Sequence, residues 1–339
     1  MTYLIIRFSS VGNVAMTVPV ITSLSHRYPD DTFVIVSKNR LAPLFYGLPN
    51  VQFHKAELQN GVKSIIQLYH ELRVYSIDAV VDLQDTMRSY VLRNLFRLFR
   101  RVPVYAINYG RKEKRHFIVR GYKHCAPLQT EFERYADTFR MAGLESDNSF
   151  VAIPVNTDAA QHVTERYGEK SGTWVGIAPF AKSKSNMLPY RTTKEVIAHY
   201  SRQTDTRVYL FGAGHIECEM LRQWASIFPN VVSVAGELPI EEELELMRHL
   251  DVLIGMDSAN QHLGALLGIP IISIWCGTHP NMGFSAWKQP QEHMLQTTLS
   301  CRPCTIHGTK KCKYGNFACT DISVQQIIQM VNNQLKWER

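Results

Sequence analysis

Residues 255–280 read GMDSANQHLGALLGIPIISIWCGTHP, and this stretch decides the fold. An apolar strand pattern ends just before Asp257 and Ser258, and a short run of small and apolar residues then predicts a helix. A second apolar strand pattern follows and leads into Gly277 and Thr278. In a parallel sheet both polar turns would lie side by side at the carboxyl edge, where open α/β sheets bind their ligands.

The first of these turns predicts a site for a phosphate-bearing ligand. Asp and Ser are preferred at the N-cap of a helix because their oxygens accept hydrogen bonds from the free first-turn amides. The remaining amides and the positive end of the helix dipole attract an anion. For a lone Asp-Ser pair, an ordinary capped helix without a ligand is the alternative interpretation.

The alternation of strands and helices extends over the whole chain and indicates parallel α/β sheets. At 339 residues the chain exceeds the roughly 250–300 at which a single core stops growing, so we expect two domains. We predict an N-terminal domain over 1–155, a C-terminal domain over 156–320 and a final helix within 321–339. Predicted strands cover 3–8, 32–36, 51–54, 79–83 and 102–107, then 174–178, 207–211, 231–233, 252–255 and 271–275.

The positive charge is concentrated in one segment, 93–124. It contains ten Lys and Arg against Glu113 alone, so it carries +9 while the whole chain carries +7. Solvated charge is the usual explanation. The interleaved leucine and aromatic residues favour an anionic partner instead, such as an anionic membrane surface or a phosphorylated glycolipid. Nucleic acid also fits the charge, but no nucleic-acid motif accompanies it.

Four of the seven cysteines are clustered near the C-terminus, in the order Cys301-x2-Cys304-x7-Cys312-x6-Cys319. In a cytoplasmic chain disulfides are unusual, and four thiolates suggest a tetrahedral zinc site. The second half of the cluster lacks a C-x2-C pair. We therefore predict a structural knuckle over 301–319, either zinc-bound or reduced, with no part in catalysis.

The start of the chain and its hydropathy bear on location. Met1 leads directly into a buried-strand pattern, which differs from the basic start and longer apolar region of a secretory signal. No stretch reaches the roughly 18–20 apolar residues needed to span a bilayer. We therefore expect a cytoplasmic protein.

Residues 255–280 resemble the C-terminal signature of glycosyltransferase family 9, the heptosyltransferases of lipopolysaccharide core assembly. The positions that match this signature are Asp257, Ser258, His262, Gly268, Pro270, Gly277, Thr278 and Pro280. Ala259 departs from it, because the family usually has glycine there. The resemblance implies the GT-B fold, an α/β architecture of two Rossmann-like domains that face one another across a cleft. It also implies that the C-terminal helix packs back on the N-terminal domain.

The first βα turn, Ser9-Ser10-Val11-Gly12-Asn13, resembles the N-terminal motif of the family. In the family an aspartate follows the glycine and is the proposed general base, which takes a proton from the acceptor hydroxyl. Asn13 occupies this position, and an amide cannot take up that proton. The resemblance implies that the two serines and Gly12 bind the acceptor, and that Asn13 hydrogen-bonds it.

A second acceptor-side element follows a strand of the first half. Asp82 and Arg88 resemble the family pattern of an aspartate and an arginine separated by five residues. This implies that Arg88 binds the acceptor. Asp85 lies between them and is the carboxylate that we consider as a substitute for the missing base.

Two further loops resemble donor-side elements of the family. The loop 176–189 corresponds to one that supplies a lysine to the sugar-nucleotide phosphates, but the usual lysine position is Asn186 here. Lys182 and Lys184 lie in the same loop and could supply that charge. Glu217 follows a Gly-Ala turn and corresponds to an acidic residue that binds the nucleoside, although an exposed glutamate at a helix start is the alternative.

The implied reaction is metal-independent, inverting transfer of a heptose from ADP-heptose to an anionic lipopolysaccharide core acceptor, without a required cofactor. The resemblance then places the protein at the inner face of the cytoplasmic membrane, held peripherally by the segment 93–124. The implied donor-binding residues are Lys182, Lys184, Glu217, Asp257, Ser258, Ala259, His262 and Thr278.

Two other functions remain open from the sequence. A catalytically impaired or altered family member would still bind the sugar nucleotide, and Asn13 and Asn186 favour this hypothesis because amides replace two charged family residues. A nucleic-acid-binding protein using the segment 93–124 is the third hypothesis.

Overall fold

A computed structural model describes residues 1–58 and 61–337, with side chains up to residue 335. Residues 338 and 339, the end of the predicted segment 321–339, lie outside this part. The strands are β1 (Thr2–Ile6), β2 (Thr32–Ser37), β3 (Val51–Lys55), β4 (Ala79–Asp82), β5 (Val104–Ala106), β6 (Thr173–Ala178), β7 (Thr206–Leu210), β8 (Val231–Ser233), β9 (Val252–Met256), β10 (Ile271–Trp275) and β11 (Met294–Gln296).

The helices are α1 (Val11–Ala15), α2 (Val18–Arg27), α3 (Gly61–Leu72), α4 (Met87–Leu95), α5 (Arg111–Arg120), α6 (Glu131–Met141), α7 (Thr157–Tyr167), α8 (Tyr190–Ser201), α9 (His215–Ala225), α10 (Ile240–Arg248), α11 (Ala259–Ala265) and α12 (Val324–Trp337). A π-helical turn, Phe96–Arg100, continues α4. Among the described residues, no helix combines the length and the apolar character needed to cross a membrane.

The strands form two parallel sheets, as the sequence predicts. The first has the order β3-β2-β1-β4-β5, and the second has the order β11-β10-β9-β6-β7-β8. Strands of a parallel sheet are covered on both faces, which explains their continuous apolar runs. Leu4, Ile5 and Ile6 of β1 are fully buried, and so are Ile272 and Ile274 of β10.

The chain divides into two compact units, and their composition differs from the predicted domains. The first unit comprises 1–110 and 129–154, and the second comprises 111–128 and 155–339. The segment 111–128 was expected in the N-terminal domain. It lies in the second unit because buried Phe117 and half-buried Tyr122 pack against His279, with ring centroids 6.1 and 4.3 Å away. The basic segment 93–124 is therefore divided between the two units.

The last helix, α12, packs against α8 in the second unit, and its packing on the N-terminal domain stays a prediction. Its buried side chains Ile327 and Val331 share an apolar core with Val196, Ile197 and Tyr200 of α8. The apolar stripe that α12 presents is matched by the apolar face of α8, so burial of both stripes fixes its position.

Candidate functional site

The second sheet brings three loops together at its carboxyl edge. Strands β10, β9 and β6 are neighbours in the sheet, and each ends in a polar turn. Asp257 and Ser258 follow β9, Gly277 and Thr278 follow β10, and residues 179–189 follow β6. Because parallel strands end at the same edge, side chains from distant parts of the sequence meet there.

Asp257 joins these three loops by hydrogen bonds. Its Oδ2 accepts from Thr278 Oγ1 at 2.6 Å and from Asn186 Nδ2 at 3.4 Å, and its Oδ1 accepts from Gln261 Nε2 at 3.3 Å. The residue keeps part of its surface exposed, but its carboxyl group is enclosed by these neighbours. Burial raises the pKa of Asp257 to about 6, and the hydrogen bonds from Thr278 and Gln261 oppose that rise.

The short helix α11 adds unsatisfied polar atoms beside Asp257. Ser258 is its N-cap residue, as predicted, but its side chain makes no capping hydrogen bond. Ser258 Oγ, Gln261 Oε1 and His262 Nδ1 are buried and have no hydrogen-bond partner in the described part of the chain. Burial lowers the pKa of His262 to about 4, so its imidazole is neutral at neutral pH. Ala259, the first residue of α11, is half-buried.

The loop after β6 is anchored by hydrogen bonds to the backbone carbonyl of a glycine. Ser183 Oγ donates to the carbonyl of Gly308, and Ser185 Oγ donates to the same carbonyl at 2.6 Å. The amide of Gly277 donates to the carbonyl of Ser185 at 2.8 Å. This anchoring buries Asn186 and directs its side chain to Asp257.

The two lysines of this loop are exposed, in contrast to Asn186. Lys184 borders an apolar cavity that is also lined by Met187, Leu188, Pro189, Tyr190, Phe317 and Thr320. Burial lowers the pKa of His307, and the charges of Lys114 and Lys182 lower it further, so Lys182 lies near this imidazole. Both lysines can therefore supply charge at this edge, and neither is fixed by an ion pair that the structure records.

Arg302 is an important residue of this edge that sequence reasoning missed. It is fully buried, and its guanidinium donates to the carbonyls of Trp275 at 2.8 Å, Thr278 at 2.7 Å and Cys276. It therefore holds the end of β10 and the Thr278 turn together. The feature of the sequence that could have identified Arg302 is its position between two of the clustered cysteines.

The four clustered cysteines were predicted to form a structural knuckle, either zinc-bound or reduced, and the zinc-bound alternative is not shown. In the residues that the structure describes, no group of three or more His, Cys, Asp or Glu is arranged to hold a metal ion. All four are free thiols, with Cys301 exposed and Cys304 and Cys312 half-buried. Cys319 is buried in the apolar core of the second unit.

Glu217 supports the turn in which we predicted a nucleoside contact. Its Oε2 accepts from the amide of Ala213 at 3.1 Å. Burial raises the pKa of Glu217, and this hydrogen bond opposes the rise. The side chain stabilises the turn 212–214, and a contact with a nucleoside stays a prediction.

The first sheet carries a second polar edge, formed by the ends of β1, β4 and β5. Ser9 and Ser10 follow β1, with Ser9 half-buried and Ser10 exposed, and Ser9 N donates to Gln84 Oε1 at 3.4 Å. Gly12 is buried in α1, and Asn13 is half-buried beside it. The backbone carbonyl of Asn13 accepts from Tyr135 at 3.5 Å.

Asp85 lies beside an ion pair at this edge. Buried Asp82 accepts from Arg93 Nη1 at 2.6 Å and from the amide of Asp85 at 3.0 Å. The same Arg93 nitrogen lies 3.3 Å from Asp85 Oδ1. Asp82 and Arg93 therefore position Asp85, while Arg88 is exposed in the first turn of α4. The sequence indicated Asp85 but not the arginine that fixes it.

A buried arginine underlies the same edge and was also missed. The Arg7 guanidinium donates to the carbonyl of Leu83 and to the Tyr109 hydroxyl, and it lies 5.7 Å from the centre of the Tyr135 ring. Burial raises the pKa of Tyr109 to about 12, so its hydroxyl stays protonated at neutral pH. Arg7 thus connects the turns after β1 and β4.

Comparison with known proteins points to one family. The family model of glycosyltransferase family 9 (heptosyltransferase) matches residues 65–315. The lipopolysaccharide heptosyltransferase 3 of Escherichia coli is 24% identical over 301 residues, which covers 84% of this chain and 85% of that protein.

Solved structures show the same fold at low sequence identity. The glycosyl transferase family 9 protein from Veillonella parvula DSM 2008 matches with a TM-score of 0.78 and 16% identity, over 99% of this chain and 97% of that one. The ADP-heptose lipopolysaccharide heptosyltransferase II of Escherichia coli matches with a TM-score of 0.73 and 18% identity, over 100% and 99%. These matches confirm the predicted α/β architecture of the GT-B type.

Proposed function

Because the chain belongs to glycosyltransferase family 9, the heptosyltransferases, we propose that it transfers a heptose from ADP-heptose to a lipopolysaccharide core acceptor. The observation that carries this proposal is the hydrogen-bonded cluster around Asp257. It joins the three loops of the second sheet that match donor-side elements of the family. ADP-heptose is also the nucleotide sugar in the name of the Escherichia coli heptosyltransferase II, which shares this fold.

The second unit binds the donor in this proposal. Ser258, Ala259, His262 and Thr278 surround the diphosphate, and the neutral imidazole of His262 adds no charge of its own. Asp257 fixes the loops around the diphosphate. The exposed lysines, Lys182 and Lys184, neutralise the charge that develops on the leaving diphosphate. Glu217 supports the turn that faces the nucleoside. Protein residues supply all of this charge stabilisation, so the proposed transfer requires no metal ion or other cofactor.

The edge of the first sheet binds the acceptor. Ser9, Ser10, Gly12 and Arg88 contact the sugar, and Asn13 hydrogen-bonds the attacking hydroxyl. That oxygen forms a bond to the anomeric carbon while the bond to the diphosphate breaks on the opposite face, which inverts the configuration. Asp85 takes the proton, because Asn13 cannot.

The acceptor determines the location that we propose. Lipopolysaccharide core is assembled on a lipid, so the protein would act in the cytoplasm at the inner face of the cytoplasmic membrane. The basic segment 93–124 supplies charge of the sign that anionic lipids attract. Nucleic acid is not a partner in this proposal, and oligonucleotide binding that falls steeply with salt would contradict that exclusion.

Calorimetry with ADP and a transfer assay test the proposal together. We expect the wild-type chain to bind ADP and to transfer heptose. Asp85→Asn should lower kcat by about a hundredfold or more, because a general base typically contributes this much. Asn13→Asp should raise kcat, since it restores a carboxylate at the position of the family base.

Each failure of these measurements has a distinct meaning. ADP binding without turnover until Asn13→Asp is introduced would establish the alternative, a catalytically impaired member that binds the sugar nucleotide. Absence of ADP binding would contradict both functions. Unchanged kcat in Asp85→Asn would remove Asp85 from the mechanism and leave the donor site intact.

A further inference from the structure

The helix formed by α4 and its π-helical turn exposes large apolar side chains together with arginines. Met87 is 78% exposed, Tyr90 is 53% exposed, Leu98 is 72% exposed and Phe99 is 71% exposed. Besides Arg88, which the proposed function assigns to the acceptor, the exposed arginines on the same helix and directly after it are Arg97, Arg100 and Arg101. We call Met87, Tyr90, Leu98, Phe99 and these last three arginines the apolar-arginine patch.

The helical period places Met87 and Leu98 away from the core, whereas Phe99 and Arg100 are exposed because they lie at the end of the helix, in its π-helical turn. Leu92 and Phe96 are buried in the apolar core of the first unit. Met87 and Leu98 are eleven positions apart, which is about three turns, so both lie on the side opposite those buried residues. Adjacent exposed Leu98 and Phe99 are unusual because apolar residues that are exposed for no reason normally occur singly.

The charge around these apolar residues has one sign. Residues 86–112 contain no Asp or Glu. Phe99 approaches Tyr69 of α3 with ring centroids 6.4 Å apart, so the end of this helix rests on its neighbour and is held in place. Exposed apolar side chains beside arginines are the combination of groups that binds the headgroup region of anionic membranes.

We propose that the apolar-arginine patch is the surface by which the protein docks on an anionic lipid bilayer. Leu98 and Phe99 enter the boundary between headgroups and acyl chains, while Arg97 and Arg100 bind lipid phosphates. The choice of a lipid surface rests on the proposed function, because a lipid-anchored acceptor requires the enzyme to work at a bilayer. Within the basic segment 93–124, the proposal therefore assigns membrane binding to the part that lies in the first unit.

Helix α5 provides the matched comparison within the same basic segment. It exposes Arg115 and Arg120, and its Val119 is 85% exposed. It therefore offers positive charge and an isolated apolar residue, without the adjacent apolar pair of the patch. Binding driven by charge alone would depend on α5 as much as on the patch.

Flotation of the full-length protein with vesicles of phosphatidylethanolamine and phosphatidylglycerol tests the proposal. Leu98→Gln combined with Phe99→Gln keeps the charge and should lower the partition coefficient by about tenfold or more, because two apolar side chains no longer enter the bilayer. Arg97→Gln and Arg100→Gln should each lower it about fivefold, in a salt-dependent manner. The control, Arg115→Gln with Val119→Gln, should change it less than about twofold.

Thermal unfolding shows whether the variants are folded, and Leu98→Gln alone replaces the double variant if that one is not. The proposal would be overturned if the partition coefficient of Leu98→Gln with Phe99→Gln equalled that of the wild type. It would also be overturned if the control variant lost as much vesicle binding as this apolar variant. A concentration-dependent dimer that the apolar variant dissociates would assign the patch to a second copy of the chain instead.

Vesicle binding is measured without donor or acceptor, so a failed transfer assay leaves its outcome unchanged. Transfer to a detergent-dispersed acceptor with no binding to anionic vesicles would contradict the docking surface and leave the transferase function intact.

Discussion

Single residues show how tertiary contacts change the chemistry expected from the sequence. Asp257 was predicted as an anion-site residue, and the structure shows it as a carboxyl group enclosed by Thr278, Gln261 and Asn186. Burial raises its pKa to about 6 and lowers the pKa of His262, one turn further on, to about 4. These shifts come from burial, which the sequence alone does not reveal.

The raised pKa of Asp257 predicts a pH-dependent stability. The pKa of Asp257 in the folded protein lies above the ordinary value of 3.8. The protonated carboxyl group therefore contributes stability to the fold below about pH 4, and this contribution is lost as the pH rises through 6. Asp257→Asn removes this dependence. Its free energy of unfolding relative to wild type should therefore rise by about 2 kcal/mol between pH 4 and 7. Urea denaturation at several pH values measures this difference.

The control for that prediction is His262→Gln, which should change the pH dependence of stability in the opposite direction. Burial lowers the pKa of His262, so its contribution is present above pH 6.5 and is lost as the pH falls through about 4. His262→Gln should therefore gain stability relative to wild type on acidification. Parallel pH profiles for wild type and Asp257→Asn would show that the carboxyl group is not enclosed.

Individual elements were predictable where their patterns are periodic. The strands of both sheets follow from apolar runs, while β11 is only three residues long and was missed. Helix α5 is hard to predict from the sequence because most of its residues are charged and its pattern has only a short apolar side. The loop 176–189 was predicted as a phosphate-binding element, but the anchoring of its Ser183 and Ser185 to Gly308, far away in sequence, was not predictable.

This anchoring predicts an unusual sensitivity at Gly308. Its φ is +68°, and a Cβ atom there would lie 2.2 Å from Asn186 Oδ1. Gly308→Ala should therefore displace Asn186, cost about 2 kcal/mol or more of unfolding free energy, and raise the Kd for ADP. Denaturation and calorimetry measure the two effects.

Gly315 is the matched control for Gly308. Its φ is +70°, but a Cβ atom there would meet nothing within 4 Å. Gly315→Ala should cost only about 1 kcal/mol, from the left-handed backbone, and should leave ADP binding unchanged. Equal ADP affinity in both variants would show that the loop 183–186 takes no part in binding the donor.

At the scale of the whole molecule, we propose that the second unit binds the donor and the first unit binds the acceptor. Hydrogen exchange with and without ADP tests this division. ADP should slow exchange in the loops 257–262 and 276–279 of the second unit and leave 9–13 and 83–88 of the first unit unchanged, because a ligand stabilises the segments that it contacts. Protection confined to the first unit would reverse the assignment of donor and acceptor sites.

The sequence by itself determined the two parallel α/β sheets, the family and the polar turns that end the strands. These depend on local periodicity and on short motifs such as the one at 255–280. Only the tertiary structure decided that 111–128 lies in the second unit, that α12 packs on α8 and that Arg302 supports the Thr278 turn. Such facts depend on side chains distant in sequence that become neighbours only when burial of their apolar surfaces selects one arrangement.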